Sequence, residues 1–127
     1  MLDLSHKDLE VYKISLLMVK EIYTLTKLFP REEQFVLVTQ LRRAAISVSS
    51  NLAEGASRKS VKEKKRFYEI SRSSLVEIDT QIEISMLLDY INQEQIIKLK
   101  EYVVSIFRML SKIITNIELK TPLATTH

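Results

Sequence analysis

One glycine and two prolines in 127 residues leave this chain almost no turn chemistry. A β-fold of this size needs turn residues at every hairpin. So few of them force long helices joined by a few corners. The glycine itself, Gly55, lies in "SSNLAEGASRKS" (49–60), with small residues before it and cations after it. It is read as the stop of a helix, where a left-handed backbone is needed. A positive φ at Gly55 and a cost of about 1 kcal/mol or more for Gly55→Ala are the expectations.

Apolar spacing marks four helices, at about 7–28, 32–54, 60–91 and 93–117. In the first, Leu9, Tyr12, Leu16, Val19 and Tyr23 recur every three or four residues, which lines one helical face. Ile14, Met18, Ile22 and Leu25 widen it, and "LFP" ends the segment because a residue before proline leaves the α region. Glu32 and Glu33 open the second helix, whose stripe is Phe35, Val38, Leu41, Ala45, Val48 and Leu52. Ser60 and Glu63 form a capping box for the third, with Phe67, Ile70, Ser74, Ile78, Ile82 and Ser85 on or near its inner face. Asn92 caps the fourth, where Ile96, Leu99, Val103, Ile106, Leu110, Ile113 and Ile117 make the cleanest heptad in the chain. Phe107 and Ile114 lie off that seam and suit a second interface.

Short connections make successive helices antiparallel. The expected fold is therefore all-α, an up-down-up-down four-helix bundle spanning 1–118 as one domain, with a disordered tail at 119–127. Apolar residues, at 46 %, suffice for the core of such a domain.

The same residues exclude several chemistries. With no cysteine there is no disulfide framework, zinc–thiolate site or thiol nucleophile. The only histidines, His6 and His127, stand near the two ends, and neither completes the Glu-x-x-His pairs of a di-iron bundle. A single glycine cannot build a phosphate-binding glycine loop. No metal, cofactor, small-molecule substrate or catalysis is expected. Nor is a membrane span, since "ISLLMV" is closed by Lys13 and Lys20. The N-terminal stretch does not read as a secretory signal, so a cytoplasmic location is expected.

Charge is the remaining signal. Residues 42–72 carry nine cations and three carboxylates, a net +6, so a whole-chain charge of +3 leaves −3 for the rest. Arg58, Lys59, Lys62, Lys65 and Arg66 surround the start of the third helix, with Arg42 and Arg43 on the second as further candidates for phosphate contact. A solvated helix face is the alternative. Glu54, in the last turn of the second helix, opposes the helix dipole and calls for a partner, either Arg58 or Arg72. Arg43 and Glu77 are placed to form an ion pair between packed helices, and Phe67 is read as core rather than as a stacking platform.

The stretches "FPREEQFVLVTQLRRAAISVSSNLAEGASRKS" and "FYEISRSSLVEIDTQI" resemble the bacterial four-helix-bundle proteins encoded by intervening sequences in 23S ribosomal RNA genes. The matching residues are Phe29, Pro30 and Glu33; Gln40, Arg42, Arg43 and Ala44; Asn51, Ala53, Glu54 and Gly55; and Ser74 and Glu77. "DLEVYK" near the start is similar too, and the likeness extends from about residue 8 to 117. Ser71-Arg72-Ser73 departs from the small residues many relatives carry, which puts tight packing there in question. The resemblance implies a homo-oligomer, a pentamer, associated with ribosomal RNA or its processing. The leading expectation is a non-enzymatic RNA-binding oligomer. The alternative is an oligomeric protein-interaction scaffold with no nucleic-acid ligand.

Overall fold

The computed structural model describes residues 1–120 and contains four helices: α1 (Glu10–Thr26), α2 (Leu37–Ser57), α3 (Val61–Leu87) and α4 (Ile97–Lys120). Cross-helix contacts fix their directions. Thr26 meets Arg42 while Ser15 meets Ser49, and Ser74 meets Ser47 while Ser71 meets Val48. Lys65 meets Glu118 while Arg72 meets Ser111. In each pair of helices the number rises on one as it falls on the other, so each neighbour is antiparallel. The result is a four-helix bundle in which α2 packs most extensively on α3, and α4 closes the square against α1 and α3.

The core is a continuous apolar column built from Met18 and Ile22, Leu41 and Val48, Leu75 and Ile78, and Ile106 and Leu110. The inner face of α1 is turned by about one residue from the expected stripe. Val11, Ser15, Met18, Ile22 and Leu25 are buried, whereas Leu16 is 47 % exposed. The cause is Ser15, a polar residue at the centre of the true face. It is fully buried because its hydroxyl shares a 2.8 Å hydrogen bond with Ser49 on α2. A buried hydroxyl with a partner escapes most of the desolvation cost that pattern counting assigns to it.

The second helix starts later than expected. Residues Arg31–Glu33 form a 3-10 turn, and Val36 (φ −119°, ψ −93°) lies outside helical geometry before α2 begins at Leu37. Phe35, expected in the core, is 86 % exposed as a result. Glu33 takes no part in the first turn of α2. It accepts a 2.7 Å hydrogen bond from the Tyr90 hydroxyl, and Phe29 packs on the Tyr90 ring at 5.6 Å. The α1–α2 and α3–α4 connections are thereby latched together at one end of the bundle.

The other ends also shift. In α3, Tyr68 rather than Phe67 is buried, and Ile70 faces outward. Asn92 and Gln95 do cap each other reciprocally, at 2.9 and 3.0 Å, but they cap a turn and the regular helix starts at Ile97. Ile114, placed off the seam by heptad counting, is core, while Ile113 and Ile117 flank it. Leu119 and Lys120, assigned to the tail, belong to α4. The expected disorder of 121–127 and the second histidine, His127, lie outside the described residues.

Gly55 is not a helix stop. It sits inside α2 and does not have positive φ. What requires glycine is the ring of Tyr68 on α3: a Cβ at position 55 would lie 2.7 Å from Tyr68 Cε1 and 2.9 Å from Cδ1. Among the described residues the left-handed one is Asp89 (φ 61°), at the end of α3. There the Asp89 N–H donates to the Met86 carbonyl and the Tyr90 N–H to the Ser85 carbonyl, the double bond pattern of a Schellman stop. α2 ends without such a turn because the Lys64 ammonium, from α3, donates to the Gly55 and Ala56 carbonyls at 3.3 and 3.0 Å.

Two measurements check these assignments. Gly55→Ala should cost about 1–3 kcal/mol in urea unfolding through overpacking. In a Tyr68→Leu background the same change should become favourable by up to about 1 kcal/mol, the helix propensity of alanine over glycine. An equal loss in both backgrounds would point to backbone strain instead. Tyr90 has its pKa raised to about 12, first by the hydrogen bond to Glu33 and then by partial burial and the charges of Glu33 and Glu32. Because the folded value lies above the usual tyrosine value near 10, its contribution is complete below about pH 10 and lost from there to about pH 12. The stability gap between wild type and Tyr90→Phe should therefore be flat below that window and shrink across it.

Candidate nucleic-acid interface

The corner between α2 and α3 is three residues long, Arg58 to Ser60. Both helix ends are satisfied there without a glycine turn. The Ser60 hydroxyl accepts from the Glu63 N–H at 3.3 Å, one half of the capping box, while the Glu63 carboxylate turns to Arg66, and Lys64 covers the last carbonyls of α2. A lysine at a helix C-terminus also complements the negative end of the dipole. So short a corner leaves its cations little room except outward.

Five of the expected phosphate contacts gather here: Arg58, Lys59, Lys62, Lys65 and Arg66. Glu54 finds its partner in Arg58 (2.9 Å), the first of the two candidates, while Arg72 reaches across to the Ser111 hydroxyl at 3.3 Å. Arg66 pairs with Glu63 at 3.3 Å and Lys65 with Glu118 at 3.2 Å. Lys59 and Lys62 are exposed and make no ion pair among the described residues. The three pairs are solvent-facing, and such pairs contribute roughly 0–1 kcal/mol each. A phosphate can therefore replace each carboxylate at small cost.

Phe67 is only partly buried, and it carries the guanidiniums of both Arg58 and Arg66 over its ring, at 4.9 and 5.1 Å from the centroid. Its reading as a core residue is corrected: Tyr68 fills that place, and its burial raises the Tyr68 pKa. Adjacent aromatics on a helix point about 100° apart, so one sequence position decides which faces in.

Arg42 and Arg43 do not belong to this corner. Arg42 and Arg58 lie at opposite ends of α2, roughly 24 Å apart at about 1.5 Å per residue. Arg42 is also engaged: its Nε donates to the Thr26 hydroxyl at 3.0 Å and its guanidinium covers the Tyr23 ring at 4.3 Å, binding α2 to α1. Arg43 is exposed. The expected Arg43–Glu77 ion pair does not form, and Glu77 is exposed as well. Asn51 is structural, donating to the carbonyl and hydroxyl of Ser47 at 2.8 and 3.0 Å. Ser71, in the stretch where packing was in question, is fully buried and donates to the Val48 carbonyl at 2.8 Å. The extra cation beside it, Arg72, lies along the surface toward α4.

Among the described residues, no group of three or more histidine, cysteine or acidic side chains is placed to hold a metal ion. No helix there is long and apolar enough to cross a membrane. His6 is buried edge-on against Tyr12, with ring centroids 4.7 Å apart.

A family model described as 23S rRNA-intervening sequence protein matches residues 7–112. A crystal structure from Bacteroides thetaiotaomicron, of a protein with unknown function from the S23 ribosomal protein family, superposes with a TM-score of 0.76. The two sequences are 24 % identical, over 83 % of this chain and 95 % of that one. At that identity the likeness is one of fold. No curated protein matches the chain.

The two neighbouring arginines of α2 give a direct check on these placements. Arg42→Ala should lower stability by about 1–2 kcal/mol, since it removes a charge-assisted hydrogen bond and a cation–π contact. Arg43→Ala should stay within about 0.5 kcal/mol of wild type. Equal effects in chemical denaturation would contradict the division of roles.

Proposed function

Because the chain belongs to the 23S rRNA-intervening sequence protein family, we propose that it is a non-enzymatic, homo-oligomeric RNA-binding protein associated with ribosomal RNA or its processing. The observation that carries this reading is the α2–α3 corner, where Lys59 and Lys62 stand exposed and unpaired among the described residues beside three arginines and lysines held only by weak surface pairs. Clustered cations of this kind are the electrostatic footprint of a polyanion binder. Each protomer offers few phosphate contacts, so affinity depends on several copies binding one RNA together. A pentamer is the stoichiometry that the family resemblance implies. On this reading the protein acts in the cytoplasm, and it binds rather than catalyses.

A second reading, an oligomeric scaffold for another protein, draws support from the groove between α3 and α4. Leu75, Val76, Val103, Val104 and Phe107 line it, and Val76, Val104 and Phe107 are 53 %, 44 % and 43 % exposed. A face of that kind suits self-association equally well, so it does not by itself separate the two readings.

Salt dependence separates them. Five phosphate contacts per protomer should give a slope of log affinity against log salt of about −3.5 to −4.5, and Lys59→Ala with Lys62→Ala should reduce its magnitude by about 1.5. The mass of the same sample by light scattering gives the copy number. An affinity that ignores salt, or capture of a single protein partner from the native host without enriched RNA, would favour the scaffold.

A further inference from the structure

We propose that Arg58, Phe67 and Arg66 form a stacking site for unpaired nucleobases, so that the corner selects single-stranded RNA segments over duplex. The proposal rests on the RNA-binding reading and names the form of RNA that the same surface takes.

Two guanidinium groups gather on one aromatic ring. Arg58 lies with its guanidinium over Phe67 at 4.9 Å, and its Nη2 is held by Glu54 Oε2 at 2.9 Å. Arg66 lies over the same ring at 5.1 Å, and its Nη1 is held by Glu63 Oε2 at 3.3 Å. Each guanidinium is thus restrained twice, by an aromatic face and by a carboxylate, yet the two arginine side chains remain 46 % and 62 % exposed. A planar cation placed on a ring, on a side chain that stays exposed, offers a surface on which a base stacks. Because each arginine already holds an aromatic and a carboxylate contact, less rotamer entropy is lost when it does. Every base has a π-face, so such a site tolerates sequence. A base inside a duplex has both faces covered, whereas loops, bulges and ends present theirs. Lys59 and Lys62, on the same corner, are available to the phosphates on either side of the stacked base.

A plain phosphate patch predicts something different, since it would bind duplex at least as well as single strand and would accept lysine in place of arginine. The test therefore uses the charge-preserving double variant Arg58→Lys with Arg66→Lys, and separately Phe67→Leu. Full-length protein is titrated with an unstructured RNA strand carrying a fluorescent adenine analogue, and with a blunt RNA duplex. Thermal melts confirm that the variants remain folded. Wild type should prefer the strand and quench the analogue. Both variants should lose about tenfold or more in affinity for the strand and lose the quenching. The double variant should also keep its salt slope, because the charge is unchanged. Equal strand affinity and quenching in wild type and the double variant would overturn the stacking site, as would a wild-type preference for duplex. Both results leave RNA binding itself intact. Failure of wild type to bind either RNA at low salt would overturn the RNA-binding reading as well, and is distinguishable for that reason.

Discussion

The ring of Tyr68 rests against the bare α-carbon of Gly55, and a few residues along, Ser71 gives its hydroxyl to the carbonyl of Val48 with no surface left exposed. Close approach of α2 and α3 is the condition on which the remaining structure stands. It needs a chain of small or hydroxyl-bearing side chains, Ser47, Gly55, Ser71 and Ser74, each either absent at Cβ or hydrogen-bonded across the gap. Hydroxyls paired in this way fill space without leaving a buried polar group unsatisfied. Once the two axes are this near, three residues suffice to connect them, and the connection is driven out into solvent with its cations.

Most of the residues that carry the family likeness are engaged in holding the bundle. Phe29 and Glu33 meet Tyr90, and Pro30 precedes the turn that places them. Arg42 binds Thr26 and Tyr23 and Ser74 binds Ser47 across helices, while Asn51 binds Ser47 within α2 and Glu54 pairs with Arg58 at its end. The surface that faces possible ligands lies next to these motifs. The motifs determine how α2 and α3 meet, and the lysines and arginines that follow occupy the position so created.

The all-helical class, the number of helices, their antiparallel order and the Ser60 cap were legible in the sequence, because they follow from glycine scarcity, apolar period and a local pattern. Most of what escaped it depended on partners distant along the chain. Ser15 looked like a polar interruption until Ser49 supplied its hydrogen bond. Phe35 looked like core until Val36 left helical geometry and turned it outward. Gly55 was legible as a special position, but its reason was a tyrosine thirteen residues on rather than its own backbone. In the candidate interface, the clustering of cations was visible, and so was Arg58 as a candidate partner for Glu54, but the pairing of Lys65 with Glu118 was not. A run of charges does not reveal that Lys65 meets a carboxylate on another helix, or that Arg42 is at the far end of its helix.

The latch between Tyr90 and Glu33 has a consequence for motion. It joins two connections that are far apart in sequence but share one end of the bundle, with the Phe29 ring packed beneath. Neither connection can lift away without breaking the hydrogen bond that holds the other. A tie of this kind couples the opening of the two connections. The opposite end carries a single connection between helices, the α2–α3 corner, and Lys65 near it pairs with Glu118 at the end of α4. There the short α2–α3 corner meets a ligand while the latched end keeps the helices in register.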